Sequence, residues 1–402
     1  MKKKGIILLI LVIIQGCFVY AQDINEYITR AKAYMDRSMF SQAIALYSEA
    51  LEKHDDYRLL TGRGNALLMT GKTKEAINDF NRANILKPGS GYMGLARAFA
   101  LKKDIGNTVA NLQYHLESDF RMPRREILLD KHFSFLENRA EWRQLWKTKW
   151  HTRLEEAVNE IEYYVSTGKL KEAEGVFVLV KDVYREQPEI LYLHGLIESA
   201  KNNSSEALQY LVKAVADGNT DYSAWKLYIE LLQINGNYIG AANECDRALS
   251  NYPEQTELIF MKSENLRKAN DRDRAMEEAE KYLFLYPDDE KANRQAGLIA
   301  GEKGEYNKAL RYFSKNTDNF PGNSQCFTDR ANIYLKLKSW DAAVYDYSMA
   351  LDLWPRNGDA YYNKGVALIN TGKTEEACHD FRMALRYGNR KASGMISKHC
   401  IR

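Results

Sequence analysis

The sequence predicts an all-α protein, an α-solenoid of stacked antiparallel helix pairs, and three observations predict it. The stretch from Pro188 to Lys391 repeats itself six times at a spacing of 34 residues without insertion. Small residues recur once per repeat, at Ala207, Ala241, Ala275, Ala309, Ala343 and Ala377. Seven residues beyond each stand Ala214, Ala248, Tyr282, Asn316, Ala350 and Ala384, with Leu211, Cys245, Ala279, Phe313, Tyr347 and Phe381 midway. Prolines close four units at the same phase, at Pro253, Pro287, Pro321 and Pro355. A fixed period of this length marks helical hairpins that bury their apolar faces on one another.

Residues 1–21 read as a leader. Lys2, Lys3 and Lys4 precede the apolar run Ile6 to Ile14, and Val19-Tyr20-Ala21 supplies the small-residue site before Gln22. That order predicts a secretory signal peptide cleaved between Ala21 and Gln22. The uncharged run is about 17 residues, at the lower limit for spanning a bilayer, so cleavage is preferred to a transmembrane helix. Ile14-Gln15-Gly16-Cys17 offers an alternative, because it resembles the lipobox in which Cys17 would carry a lipid. Gln15 suits that motif poorly, and Phe18-Val19-Tyr20 is apolar for a lipoprotein start. Either route exports the repeats to the periplasm or cell envelope.

Residues 24–119 are predicted to form a first array of about three hairpins. Tyr27, Ala31, Tyr34, Ala43, Tyr47 and Ala50 mark the first, and Gly64, Leu67, Ala76, Phe80, Ala83 and Pro88 the second. The third is degenerate, with Tyr92, Ala96 and Phe99, then Thr108, Leu112 and His115. The register breaks over 120–152, where Leu128, Leu129, Phe133 and Leu136 keep helical spacing and predict a connector of helix. Trp142, Trp146 and Trp150 follow at steps of four, predicting one helix face that buries the joint between two arrays. The alternative is an exposed aromatic strip for a partner. The second array, 154–391, resumes at Leu154, Ala157, Tyr164, Ala173 and Phe177 and holds about seven repeats. Residues 392–402 read as a helix capping the last apolar face.

Taken from Ser324, one unit carries Phe327, Ala331, Tyr334, Ala343, Tyr347, Ala350 and Pro355. This pattern resembles the tetratricopeptide repeat (TPR). Small residues let two helices approach, and large ones fill the space between neighbouring pairs. The resemblance implies a TPR superhelix whose first helices line a concave groove for a protein or peptide. It places Asn332, Asn363, Tyr362, Arg294, Phe260 and Tyr192 on that face. Asn332 with Asn363 resembles half of a clamp that holds a peptide backbone; Thr328 stands where the clamp has lysine. The alternative for the two asparagines is solvated polar groups.

Composition excludes several classes of function. The chain has 57 Lys and Arg against 54 Asp and Glu, and Lys2, Lys3 and Lys4 account for the excess. A balanced mature chain gives no footprint for nucleic acid. Gly71-Lys72-Thr73 and Gly372-Lys373-Thr374 copy the tail of a phosphate loop, but Ala66 and Ala367 replace its leading glycine. Asp217-Gly218-Asn219-Thr220-Asp221 begins like a calcium loop, yet Tyr222 and Tyr228 occupy its glycine and closing glutamate places. Cys378 and His379 are adjacent, about 100° apart on a helix, and make no catalytic pair. No catalytic, cofactor or metal constellation is predicted, so the expected role is a non-enzymatic interaction scaffold. Its alternative is a lipid-anchored structural component of an outer-membrane assembly or secretion complex.

Cys378 precedes the turn at Gly388 by ten residues and Cys400 follows it by twelve. Helices folded back there would place both cysteines about 15–18 Å from the turn. A Cys378–Cys400 disulfide is one reading; two reduced buried thiols are the other.

Overall fold

The computed structural model of the chain describes residues 24–400 other than 217 and 219. The expectations for Cys17, Ala21 and Gln22, and the loop residues Asp217 and Asn219, lie outside the described residues. Every regular element among the described residues is helical. The chain divides into two compact units, Met1–Leu258 and Ile259–Arg402.

The first unit opens with α1 (24–36) against α2 (Phe40–Lys53), α3 (Tyr57–Met69) against α4 (Thr73–Leu86), and α5 (Tyr92–Leu101) against α6 (Ile105–Glu117). A short segment follows: α7 (Arg124–Leu129), a 3₁₀ turn (Lys131–Leu136) and α8 (Ala140–Leu145). Hairpins then resume as α9 (Arg153–Ser166) with α10 (Leu170–Val180), α11 (Pro188–Ala200) with α12 (Ser204–Ala214), and α13 (Tyr222–Ile234) with α14 (Tyr238–Asn251). The second unit is built from α15 (Glu257–Lys268) with α16 (Arg272–Leu285), α17 (Glu290–Glu302) with α18 (Tyr306–Asn319), and α19 (Ser324–Lys336) with α20 (Trp340–Leu353). It ends in α21 (Gly358–Asn370), α22 (Thr374–Arg386) and α23 (Ala392–His399). The break in sequence register at 120–152 therefore falls inside the first unit, whereas the division between units falls near the start of α15.

Each hairpin follows from its residues. Ala207, Ala241, Ala275, Ala309, Ala343 and Ala377 are all 0% exposed, the close-approach points of their helix pairs. Gly365 shows how close: a Cβ there would lie 2.6 Å from Phe381 Cε1. Such overlap would push the phenyl ring out of its site. The turns inside hairpins need a left-handed residue, as at Gly304 (φ +79°), although Asn202, Asn270 and Lys338 hold the same conformation. At Lys338 its N–H donates to Leu335 O and the N–H of Ser339 to Tyr334 O, closing the last turn of α19. Between hairpins, proline ends one helix and an Asp or Asn caps the next. Asp289, Asn323 and Asn357 accept from the N–H groups of Ala292, Gln325 and Ala360.

A second recurring contact was not read from the sequence. A basic side chain on the first helix of a hairpin reaches a carboxylate 16 residues on: Arg63–Asp79, Lys262–Glu278, Arg330–Asp346 and Lys364–Asp380. Asp79, Glu278, Asp346 and Asp380 are all buried. Arg330 grips Asp346 through two bonds, Nε to Oδ2 at 2.7 Å and Nη2 to Oδ1 at 2.8 Å. Desolvation limits what such pairs add to stability, but their fixed geometry sets how the two helices meet.

The connector corrects two expectations. Leu128 and Leu129 are exposed, because α7 ends after six residues, and Ile127, Phe133 and Leu136 turn inward instead. The three tryptophans do not share a helix face, since α8 stops at Leu145. The Trp150 indole N–H turns back to donate to Leu145 O at 2.8 Å, taking up a carbonyl that the helix end leaves open. All three rings nonetheless join one core with Met93, Leu112 and Phe133, so the connector buries itself on the third hairpin. Arg121 then ties it to α9 through Glu155, Nε to Oε1 at 2.7 Å.

At the other end, Cys378 of α22 and Cys400 after α23 are joined by a disulfide, with Cα atoms 5.6 Å apart. Ala392, Met395 and Ile396 lie against Leu368, Phe381 and Ala384, so α23 covers the apolar face of the last hairpin.

Candidate interaction groove

Five of the six groove candidates stand on consecutive first helices of the second unit: Phe260 on α15, Arg294 on α17, Asn332 on α19, and Tyr362 and Asn363 on α21. All five are half-buried. Polar contacts run from one first helix to the next. Arg294 Nε donates to Asp329 Oδ2 at 2.6 Å, and Gln325 Nε2 fills Asp329 Oδ1 at 2.8 Å. Arg267 Nη1 meets Glu302 Oε1 at 2.7 Å in the same way. Both ion pairs span 35 residues, one repeat plus one, and this spacing was the unused signal in the sequence.

Asn332 and Asn363 are brought together. Asn363 Nδ2 donates to Asn332 Oδ1 at 3.4 Å, and the Tyr347 hydroxyl donates to the same oxygen at 2.6 Å. Burial raises the pKa of that phenol, which keeps it a donor. The Asn332 carbonyl is thus filled, leaving its amide nitrogen as donor and the Asn363 carbonyl as acceptor. Those two groups match the needs of an extended peptide backbone. Tyr362, next to Asn363 in sequence, has its ring 5.9 Å from that of the buried Phe381, and Phe260, two first helices before Asn332, lies 5.5 Å from Tyr282.

Tyr192, in the first unit, does not present its ring to solvent. It is 6% exposed, and its hydroxyl donates to Glu162 Oε1 at 2.7 Å. Burial raises the pKa of both groups, so the neutral phenol is locked as a donor into the hairpin stack. Among the described residues, no three His, Cys, Asp or Glu side chains come together to hold a metal ion. No described helix is long and apolar enough to cross a membrane.

Three segments match tetratricopeptide repeat families: residues 28–91 and 358–387 the tetratricopeptide repeat, and 331–372 the TPR repeat. These segments are tetratricopeptide repeats. A TPR repeat-containing protein of Methanocaldococcus jannaschii is 21% identical over 362 residues, 90% of this chain and 56% of that protein. A TPR repeat-containing thioredoxin of Arabidopsis thaliana is 25% identical over 111 residues, 28% of this chain and 29% of that protein. The chain therefore spans about half of the first relative's length and less of the second's. Among solved structures, a tetratricopeptide repeat protein from Parabacteroides merdae is 19% identical with a TM-score of 0.45, covering 61% of this chain and 98% of that one.

Proposed function

We propose that this chain is a non-enzymatic interaction scaffold, exported to the cell envelope, that holds a protein or peptide partner on the first-helix face of its TPR hairpins. The observation that carries the proposal is the Asn332–Asn363 pair, which offers one donor and one acceptor between neighbouring first helices. An extended backbone presents that complement at intervals, so binding needs no particular side-chain sequence. Export is supported by the charged and apolar leader and by the Cys378–Cys400 disulfide, since such bonds persist in oxidising compartments.

The test is capture of partners from an envelope extract by the full mature chain, with and without Asn332→Ala plus Asn363→Ala. Loss of captured protein in the variant is the expected result; equal capture by both removes the groove from the proposal. The Ile14-Gln15-Gly16-Cys17 motif favours a second reading, a lipid-anchored structural component of an outer-membrane assembly or secretion complex. Cys17→Ser releases the protein from membranes under that reading and leaves its fractionation unchanged under the first.

A further inference from the structure

The first unit closes on itself. Asn25 and Thr29, on α1, reach the last turn of α14 and the turn that follows it, more than 220 residues away in sequence. Asn25 Nδ2 donates to Ser250 O at 3.1 Å, and Thr29 Oγ1 donates to Pro253 O at 2.7 Å. Both contacts read main-chain carbonyls. Ser250 O belongs to the last turn of α14, where helix carbonyls lack intrahelical partners. Pro253 has no N–H of its own and sits buried.

The receiving side chains are prepared for this role. Arg58 Nη1 donates to Asn25 Oδ1 at 3.1 Å, which turns the Asn25 amide nitrogen towards Ser250. Thr29 Oγ1 also lies 2.8 Å from Asn25 O. A hydroxyl has one proton, so it donates to Pro253 O or falls back on Asn25 O. When the turn leaves, the Thr29 hydroxyl keeps a partner and the Asn25 amide nitrogen is freed to donate to an incoming carbonyl. Glu254 completes the occupant. Its charge acts on Tyr47, whose pKa is pushed up to about 12 by burial first and by Glu254 second, and on Arg58.

We propose that the first two hairpins form a carbonyl-reading subsite filled by the chain's own Ser250–Glu254 turn, and that a partner protein enters by displacing it. The fitting partner segment ends a helix and runs through proline to an acidic residue, as the resident turn does. This rests on the scaffold reading above and adds the partner chemistry and a built-in competitor. The resident turn belongs to the same folded unit and so competes intramolecularly, and a free peptide binds the intact chain poorly. Opening the turn raises apparent affinity in proportion to the vacant fraction.

The probe is a fluorescein-labelled peptide copying residues 244–256, titrated into the full chain and followed by anisotropy. Pro253→Gly with Glu254→Lys loosens the resident turn and is expected to tighten peptide binding roughly tenfold or more. Adding Asn25→Ala and Thr29→Val abolishes that gain. Equal binding to the intact and loosened chains, or a gain that survives loss of Asn25 and Thr29, overturns the proposal. Hydrogen exchange provides a second reading should the loosened chain fold poorly: Asn25→Ala plus Thr29→Val alone must speed exchange at residues 250–256. Unchanged protection there also overturns it. Neither assay involves Asn332 or Asn363, so failure here leaves the capture experiment's reading standing.

Discussion

His115 shows how a single side chain in a degenerate repeat takes on a structural task. It is 2% exposed, and its Nε2 accepts from the Met122 N–H at 3.1 Å. Burial, with a smaller push from Arg97, lowers its pKa from 6.5 to about 4. Protonation would turn Nε2 into a donor facing another donor, which is why the neutral form is held. The folded pKa lies below the unfolded value, so the unfolded chain binds the proton first. The associated stability is fully present above pH 6.5 and is lost as pH falls towards 4, about 3 kcal/mol in all. His115→Gln keeps an acceptor but does not titrate. Urea midpoints measured from pH 7 to 4 should fall more steeply for the parent than for this variant; parallel curves would refute the assignment. The sequence showed His115 at a repeat position, but nothing in the spacing disclosed its bond to Met122, which depends on where the connector folds back. Asp329 differs, because its neutralising Arg294 lies 35 residues earlier on the preceding hairpin, one repeat plus one, a spacing visible in the sequence.

At the level of elements, strict period and legibility went together. The alanines named from the 34-residue spacing are buried because that spacing is the physical repeat of helix contact, and the described hairpins from α11 to α22 keep it. The connector was less legible. Tryptophans at steps of four suit a long helix, yet the indole of Trp150 closes a helix that had already ended at Leu145. The last element rests on both packing and a covalent tie. α23 has eight residues, too few to persist alone in water, so its apolar contacts and the Cys378–Cys400 bond hold it. The bond closes a separation of 22 residues, worth about 3 kcal/mol on chain-entropy grounds. Cys400→Ser should lower the unfolding midpoint and speed amide exchange over 392–399. Protection equal to the parent's would show that Met395 and Ile396 suffice to dock the helix.

For the whole molecule, a repeat period tells which hairpins are neighbours, and that much was readable. The contact from α1 to the turn after α14 was not, because its partners lie 224 residues apart and no local pattern joins them. Compartment is a property of the whole chain too, and it bears on the chemistry of its cysteines. The Cys378–Cys400 bond needs an oxidising surrounding to persist, while Lys2 to Ala21 carries the charged start, apolar middle and small-residue end of an export leader. The two features are independent, one at each end of the sequence, and the proposed export would account for both. Intact mass and N-terminal peptide analysis of protein purified from its native cell should therefore find Gln22 as the first residue, together with a linked Cys378–Cys400 peptide. A lipidated Cys17 with the same linked peptide would keep export and replace release with anchoring. Met1 retained alongside reduced Cys378 and Cys400 would remove both supports at once, and the search for a partner would then move out of the envelope.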